Sequence, residues 1–263
     1  MDERSKLDLL AIAAHPDDIE ITCGGLLIKM AESGRKVGGL DLTRGEMGTQ
    51  GTVEDRKAEA SEAARIMGLS YREQLGLPDS DVQNDKASRL KLAQVIRDTT
   101  PEIVILPHWE QRHPDHRLCA ELGFDACFMA GLKKADLNGT PHRPEKILYV
   151  SYFRNKEHSF LVDISDQFVR KLEAIAAYKS QFGDARQDLA RFKGIIDGSV
   201  SAPDLSEAES PNSVFHPGAN IFEYLYVRSR NLGLGGNLQF AEAYTVKESV
   251  SLDDPFVLKN RSI

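Results

Sequence analysis

LDLLAIAAHPDD, residues 7–18, is an apolar run that ends in a histidine, a proline and two aspartates. A short apolar run that stops at such polar residues is typical of a buried strand followed by a turn. A second apolar run, residues 103–107, precedes the sequence HPDH at residues 113–116. Because open parallel sheets bind ligands where their strands end, the two polar clusters predict one shared site at that edge.

The side chains of the two clusters favour a metal centre. Imidazole and carboxylate groups are ligands that Zn²⁺ accepts, and three protein ligands leave a fourth position open for water. By this chemistry His15, Asp18 and His116 form the ligand set. Asp17 is then left outside the set, where its carboxylate can accept a proton from the attacking water as a general base.

Two further residues of the second cluster complete the predicted chemistry. His113, in its cationic form, can donate a hydrogen bond to the negative oxygen that forms when a carbonyl is attacked. Asp115 is expected to accept a hydrogen bond from one of the imidazoles and so to orient that ring. Metal-dependent hydrolysis is therefore the leading hypothesis for this chain.

Each cluster taken alone has a simpler explanation. An Asp-Asp pair after a strand is usually a helix N-cap with its neighbour, and an isolated His-x-x-His is more often a surface pair. A dinucleotide site is disfavoured, because the sequence contains neither the Gly-x-Gly-x-x-Gly fingerprint nor a phosphate-binding loop. The joint placement of both clusters at strand ends is what favours the metal centre.

The order of the segments predicts an α/β protein with a Rossmann-like, mainly parallel sheet and helices on both faces. The expected strands cover residues 7–14, 36–43, 71–75, 103–107 and 146–151, and the expected helices cover 25–33, 53–67, 86–98, 114–130 and 164–180. Gly24 and Gly25 are interpreted as a turn that brings backbone close to the metal. A C-terminal extension adds a helix at 184–196, a loop or lid at 198–218, and strands at 220–228 and 241–247.

Length and composition agree with one domain in a reducing compartment. A chain of 263 residues with 41% hydrophobic content can bury one large core. We expect residues 1–185 to carry the site, and residues 186–263 to complete the pocket or make subunit contacts.

The net charge of −7 argues against a nucleic-acid or anionic-membrane surface. Three cysteines without a Cys-x-x-Cys pair, and a charged N-terminus without a signal peptide or membrane span, indicate the cytoplasm.

The motifs also carry a family resemblance. The sequences AHPDD at residues 14–18 and HPDH at residues 113–116 resemble the hallmarks of the LmbE-like, or PIG-L, zinc-dependent N-deacetylases. The sequences DLTRGE at 41–46, LGLPD at 75–79 and EQR at 110–112 are similar to those of the bacillithiol-pathway branch of that family. The resemblance covers about the first 185 residues and ends near YKSQF at residues 178–182.

The resemblance implies an activity, a cofactor and partners. The implied reaction removes acetate from N-acetylglucosaminyl malate, with the ligands, base and oxyanion donor in the roles given above. One Zn²⁺ per chain is implied, with Fe²⁺ or another divalent ion as the alternative. Arg56 and Arg112 are the cations expected to bind the two malate carboxylates. A homo-oligomer is also expected, and the resemblance suggests a hexamer.

Two other functions stay open. One is a deacetylase or amidase that acts on a different N-acetylglucosaminyl conjugate or on a chitin oligomer. The other is a non-catalytic domain that binds a nucleotide or a partner and holds zinc structurally. A structural zinc normally closes its fourth position with another Cys or His, and no residue in that role is evident in the sequence. The enzyme is therefore favoured.

Overall fold

Strands and helices alternate along most of the chain. The computed structural model describes residues 6–151, 157–201 and 220–248. Its strands are β1 Leu9–Ala13, β2 Val37–Asp41, β3 Tyr71–Gln74, β4 Ile103–Pro107, β5 Lys146–Val150, β6 Phe160–Asp163 and β7 Ala241–Thr245. Its helices are α1 Asp18–Glu32, α2 Val53–Met67, α3 Lys86–Thr99, α4 Pro114–Ala130, α5 Phe168–Ala176, α6 Lys179–Phe182, α7 Arg186–Ile196 and α8 Ile221–Gly236.

The strands form one seven-stranded sheet in the order β3-β2-β1-β4-β5-β7-β6. Strands β1 to β5 pair in parallel, whereas β7 runs antiparallel to both β5 and β6. The predicted α/β class with a mainly parallel sheet is therefore confirmed. From β1 the chain moves to β2 on one side, and it later returns to β4 on the other side of β1. This reversal opens a crevice at the carboxyl ends of β1 and β4, where open α/β sheets bind their ligands.

Helices cover both faces of the sheet, because successive strand residues point to opposite sides. In β1, Leu10 and Ile12 pack in a cluster with buried residues of α3 and α4. Leu9 and Ala11 pack on the opposite face with buried residues of α1, α2 and α5. Complete burial of each leucine or isoleucine side chain contributes about 1.5–3 kcal/mol. The two clusters thus hold the helices whose first turns carry the polar motifs.

The prediction of a turn at Gly24 and Gly25 was wrong, because α1 begins at Asp18 and continues through both glycines. The glycines serve a close contact instead. The carboxylate of Glu242, in β7, accepts hydrogen bonds from the Gly25 and Leu26 backbone N–H groups at 2.8 and 2.9 Å. A Cβ atom at position 25 would lie 2.8 Å from Glu242 Oε1, so only glycine fits there.

The Glu242 carboxylate thus ties β7 to α1, and it has two further partners. Lys171 in α5 pairs with Glu242 Oε1 at 2.6 Å, and the Tyr244 hydroxyl donates to Oε2 at 2.7 Å. This buried carboxylate is therefore saturated with donors. The division of the domain at residue 185 remains a sequence-based prediction, and β7 lies inside the same sheet as the N-terminal strands.

The prediction of a strand at 220–228 is wrong, because residues 221–228 belong to helix α8. The Asn220 side chain caps the helix by accepting hydrogen bonds from the N–H groups of Phe222 and Glu223. The buried residues recur at helical spacing: Ile221, Phe222, Leu225, Tyr226 and Ser229. Aromatic and β-branched residues favour strands locally, but this packing decides the structure. Strand β6 was not predicted. The helix predicted at 164–180 is divided between α5 and α6. Most of the loop predicted at 198–218 lies outside the described residues.

None of the helices in the described ranges is long and apolar enough to cross a lipid bilayer.

Candidate metal centre

The two sequence clusters meet at the carboxyl ends of the neighbouring strands β1 and β4. His15 follows β1, and Asp18 is the first residue of α1. His116 lies in the first turn of α4, which begins at Pro114, a residue favoured there because its fixed φ suits a helix start. The motifs therefore place the three side chains where β1 leads into α1 and where α4 begins, and both places face the same crevice.

Three side-chain atoms of this group form a nearly equilateral triangle. His15 Nδ1 lies 3.3 Å from Asp18 Oδ2, Asp18 Oδ2 lies 3.1 Å from His116 Nε2, and His116 Nε2 lies 3.3 Å from His15 Nδ1. A tetrahedral zinc with bonds of about 2.0–2.1 Å to nitrogen and oxygen separates its ligand atoms by about 3.3 Å. The His, Asp, His donor set and its spacing therefore fit a zinc ion.

Two carboxylates contact the other nitrogen of the His15 ring. Asp115 Oδ2 lies 3.3 Å and Asp79 Oδ1 lies 3.2 Å from His15 Nε2. The backbone N–H of Ser80 holds Asp115 Oδ2 at 2.7 Å, and that of Met47 holds Asp79 Oδ2 at 2.9 Å. Such acceptors fix the orientation of a ligating imidazole and raise its basicity. Asp115 is therefore placed where an orienting role requires it, and Asp79 was not among the predicted site residues.

The electrostatics of the triangle favour a cation. Burial lowers the pKa of His15, but the carboxylates of Asp115, Asp18 and Asp79 outweigh that effect and raise the pKa to about 12. Burial likewise opposes ionisation of Asp18, but His116 and His15 hold its pKa well below the usual range. The site thus keeps the Asp18 carboxylate ionised and concentrates negative charge, which a bound proton or a metal ion can neutralise.

Asp17 lies beside the triangle and outside it. It is the N-cap residue of α1 and has φ 106°, a left-handed conformation that Asp and Asn tolerate better than most residues. Its Oδ2 lies 3.3 Å from Arg56 Nη2. Burial and the neighbouring Asp18 raise the pKa of Asp17 well above its usual value, while Arg56 opposes the shift. A carboxylate with raised proton affinity suits a general base.

His113 is held in one tautomer. Its Nδ1 accepts a hydrogen bond from the Asp115 backbone N–H at 3.2 Å, so in the neutral ring the proton is on Nε2. Burial, and then His116 and His15, lower the pKa of His113. The neutral ring can therefore donate from Nε2 without the cationic form that the sequence suggested. His113 also lies close enough to His15 and His116 to bind the same metal ion. In the neutral ring, however, Nδ1 accepts the Asp115 N–H and Nε2 carries the proton, so neither nitrogen offers a free lone pair.

An open cleft leads to the triangle from the side of β2 and β3. Its volume is about 220 Å³. It is lined by His15, Asp17, Gly45, Met47, Gly48, Arg56, Asp79, Ser80, His113 and Gln181. Met47 and Gln181 were not among the predicted site residues. They reach the cleft from the loop after β2 and from α6, so no short motif of the sequence joins them to the two clusters.

The two predicted substrate-binding arginines lie in different surroundings. Arg56 is buried in the cleft wall, where its guanidinium donates hydrogen bonds to the Pro16 carbonyl and to Asp17. Arg112 is exposed and is not among the residues that line the cleft. Arg56 therefore lines the cleft and Arg112 does not, and their roles toward a substrate stay predictions.

Comparisons with known proteins agree with a metal-dependent amidase site on this fold. The family model for GlcNAc-PI de-N-acetylase, PIG-L, matches residues 10–127. Diacetylchitobiose deacetylase of Thermococcus kodakarensis is 35% identical over 187 residues, which cover 66% of this chain and 70% of that protein. The conserved protein TT1542 of Thermus thermophilus is 35% identical with a TM-score of 0.76, covering 95% of this chain and 98% of the other.

A third comparison concerns the fold alone. The N,N'-diacetylchitobiose deacetylase of Pyrococcus horikoshii superposes with a TM-score of 0.69 at 22% identity, covering 90% of this chain and 82% of the other. The family match and the named relative support a hydrolytic N-deacetylase. The chain belongs to the PIG-L family.

Replacing Asp79 with asparagine should weaken zinc binding by about 10- to 100-fold, because the charge that orients and polarises His15 is lost. Competition with a chromogenic chelator would measure the dissociation constant. Asp81→Asn is the matched control, since Asp81 is an exposed residue on the same loop. Equal zinc affinities in the Asp79→Asn variant and the wild type would show that Asp79 does not support the ligand.

Proposed function

We propose that this protein is a zinc-dependent N-deacetylase that releases acetate from an N-acetylglucosamine conjugate. The observation that carries the proposal is the triangle of His15 Nδ1, Asp18 Oδ2 and His116 Nε2, with Asp17 beside it in the open cleft. The named sugar deacetylases among its relatives support the substrate class. Zinc is proposed because its preferred geometry fits the triangle.

The residues of the cleft divide the reaction between them. When bound, zinc supplies Lewis-acid chemistry that polarises a carbonyl and lowers the pKa of water. Asp17 takes a proton from the water as that water adds to the acetamide carbon. His113 Nε2 donates a hydrogen bond to the oxygen that becomes negative. The carbon–nitrogen bond then breaks as the proton held by Asp17 passes to the amine. The acetic acid loses its proton to solvent, and acetate and the glucosamine conjugate, now with a free amine, leave.

The arrangement is less suited to a zinc ion with a purely structural role. Structural sites close all four positions with protein ligands, whereas this triangle faces a cleft open to solvent. Asp17 would also have no function in such a site. The open side of the triangle and the adjacent carboxylate are the features that a hydrolase needs.

The charge of the cleft bears on the group attached to the sugar. Malate carries two carboxylates, and among the described residues that line the cleft the one Lys or Arg is Arg56, which already contacts Asp17. Despite the opposing effect of its partial burial, Asp79 has a pKa lowered by His15 and the Met47 N–H, and it adds negative charge to the same wall. We therefore propose a neutral sugar as the favoured aglycone, such as the second N-acetylglucosamine of diacetylchitobiose. The malate conjugate predicted from the sequence is the alternative.

An acetate-release assay tests both the deacetylase activity and the identity of the aglycone. The zinc-loaded protein would be given diacetylchitobiose, N-acetylglucosaminyl malate and free N-acetylglucosamine, each with and without a chelator. We expect chelator-sensitive acetate release and a higher kcat/KM for the chitobiose than for the malate conjugate. A higher kcat/KM for the malate conjugate would reverse the aglycone assignment. The absence of acetate release from all three would contradict the deacetylase assignment to N-acetylglucosamine conjugates.

A further inference from the structure

Helix α4 carries a row of large apolar side chains on its solvent face. Phe124 and Phe128 are 47% and 55% exposed, and Leu132, in the turn that follows the helix, is 40% exposed. The spacing of four residues places the three side chains on one side of the helix. They are three of the seven large apolar side chains that the described residues expose. Phe124, Phe128 and Leu132 are called the α4 ridge below.

The opposite face of α4 is already buried. Leu122 and Ala126 belong to the core cluster that α4 forms with β1 and α3. A surface helix is usually polar on its outer face, and a helix that is apolar on both sides is typical of burial on both sides. Helix α2 has the usual pattern, because its exposed residues include Glu54, Lys57, Glu62 and Arg65. A contiguous exposed apolar surface such as the α4 ridge indicates a site that another protein surface covers.

The charges beside the α4 ridge indicate which surface fits it. Arg143 lies at the Phe128 end, where its guanidinium carbon is 4.5 Å from the ring centroid and its Nη2 donates to the Phe128 carbonyl at 3.4 Å. Glu121 is exposed, about one helical turn before Phe124. The ridge therefore has an acid at one end and a base at the other. The same ridge in reversed direction offers the complementary charges.

A third charge borders the α4 ridge and is already held within the chain. Lys247 Nζ lies 5.7 Å from the centroid of the Phe124 ring, but it lies closer to the rings of Trp109 and Tyr149, at 4.1 and 4.8 Å. Stacking of the ammonium group on these rings stabilises it in place. Lys247 thus needs no acidic partner from outside, and the pair of Glu121 and Arg143 determines which surface is complementary.

We propose that the α4 ridge is an interface between two copies of this chain, related by a twofold axis that passes between Phe124 and Phe128. In such an antiparallel pair, Phe124 of each copy packs on Phe128 of the other, and Glu121 pairs twice with Arg143. Phe and Arg are enriched at protein interfaces. The inference does not depend on the deacetylase activity. Because His116 lies in the first turn of α4, the two metal centres are at opposite ends of the helix pair.

Sedimentation equilibrium of the zinc-loaded protein, from submicromolar to near-millimolar concentrations, tests the interface. The wild type should form a dimer. Phe128→Glu should raise the dissociation constant by about a hundredfold or more, because the symmetry places the new charge in the interface twice. Leu234→Glu is the matched control, since Leu234 is an exposed apolar residue of a different helix, α8. Circular dichroism and zinc content of each variant check that the fold and the start of α4 are retained.

A charge exchange tests the antiparallel register. Glu121→Arg and Arg143→Glu should each weaken the dimer, because each brings like charges together twice, and the double variant should restore it. Failure of the double variant to restore the dimer would overturn the proposed pairing. A dimer that Phe128→Glu leaves unchanged would overturn the interface. A monomeric wild type would also overturn it, and protection of α4 from hydrogen exchange that disappears on truncation after Glu248 would then assign the ridge to residues 249–263 of the same chain.

Discussion

Replacing Asp18 with alanine is expected to remove zinc from the protein and to abolish acetate release. Asp18 Oδ2 lies 3.3 Å from His15 Nδ1 and 3.1 Å from His116 Nε2, and it also accepts the His15 backbone N–H at 3.0 Å. The substitution therefore removes one ligand and loosens a second. Because a bound zinc ion stabilises the transition state by several kcal/mol, kcat should fall by roughly a thousandfold or more.

Elemental analysis together with the acetate assay would measure the effect of Asp18→Ala. His116→Ala is an independent variant in α4, after β4, and it should also lose zinc and acetate release. Thermal unfolding of both metal-stripped variants, compared with the metal-stripped wild type, separates loss of the ligand from loss of the fold. One equivalent of zinc and normal turnover in either variant would exclude that residue from the ligand set.

The grouping of His15, Asp18 and His116 could be predicted from the sequence because each cluster is contiguous and follows an apolar strand. Parallel strands bring their carboxyl ends to one edge, so two short motifs were sufficient to place His15 near His116. Asp79, Met47 and Gln181 could not be found in this way. They come from three separate segments, and each enters the site through tertiary contacts such as the hydrogen bond from the Met47 N–H to Asp79.

The same distinction applies to the fold. Strands β1, β4 and β5 have apolar runs bounded by polar turns, and the amphipathic patterns of α2 and α4 agree with the observed helices. The local sequence pattern gave wrong predictions where contacts with residues distant in the sequence determine the backbone conformation. The Glu242 carboxylate lies in contact with Gly25, more than two hundred positions earlier in the chain, and α8 is fixed by its packing against α7 and β7. Neither partner is visible in the local sequence.

Replacing Asp17 with asparagine is expected to lower kcat by about 10²- to 10⁴-fold while one equivalent of zinc remains bound. Asparagine keeps the shape of the side chain and tolerates the left-handed conformation at φ 106°, so the start of α1 should not change. It cannot accept the proton from water. Loss of zinc from this variant would mean that the roles of Asp17 and Asp18 have to be exchanged.

His113→Ala should also keep zinc and lower kcat by about 10²- to 10³-fold, but it removes the N-cap of α4 as well as the donor to the negative oxygen. His113→Asn separates the two effects. An asparagine can still cap the helix by accepting from the Asp115 N–H, but its shorter side chain cannot reach the position of His113 Nε2. Because the donor acts on charge that develops only in the transition state, both variants should lose kcat with little change in KM. Near-normal turnover in His113→Asn, with a loss confined to His113→Ala, would assign His113 to the helix cap and remove it from the chemistry.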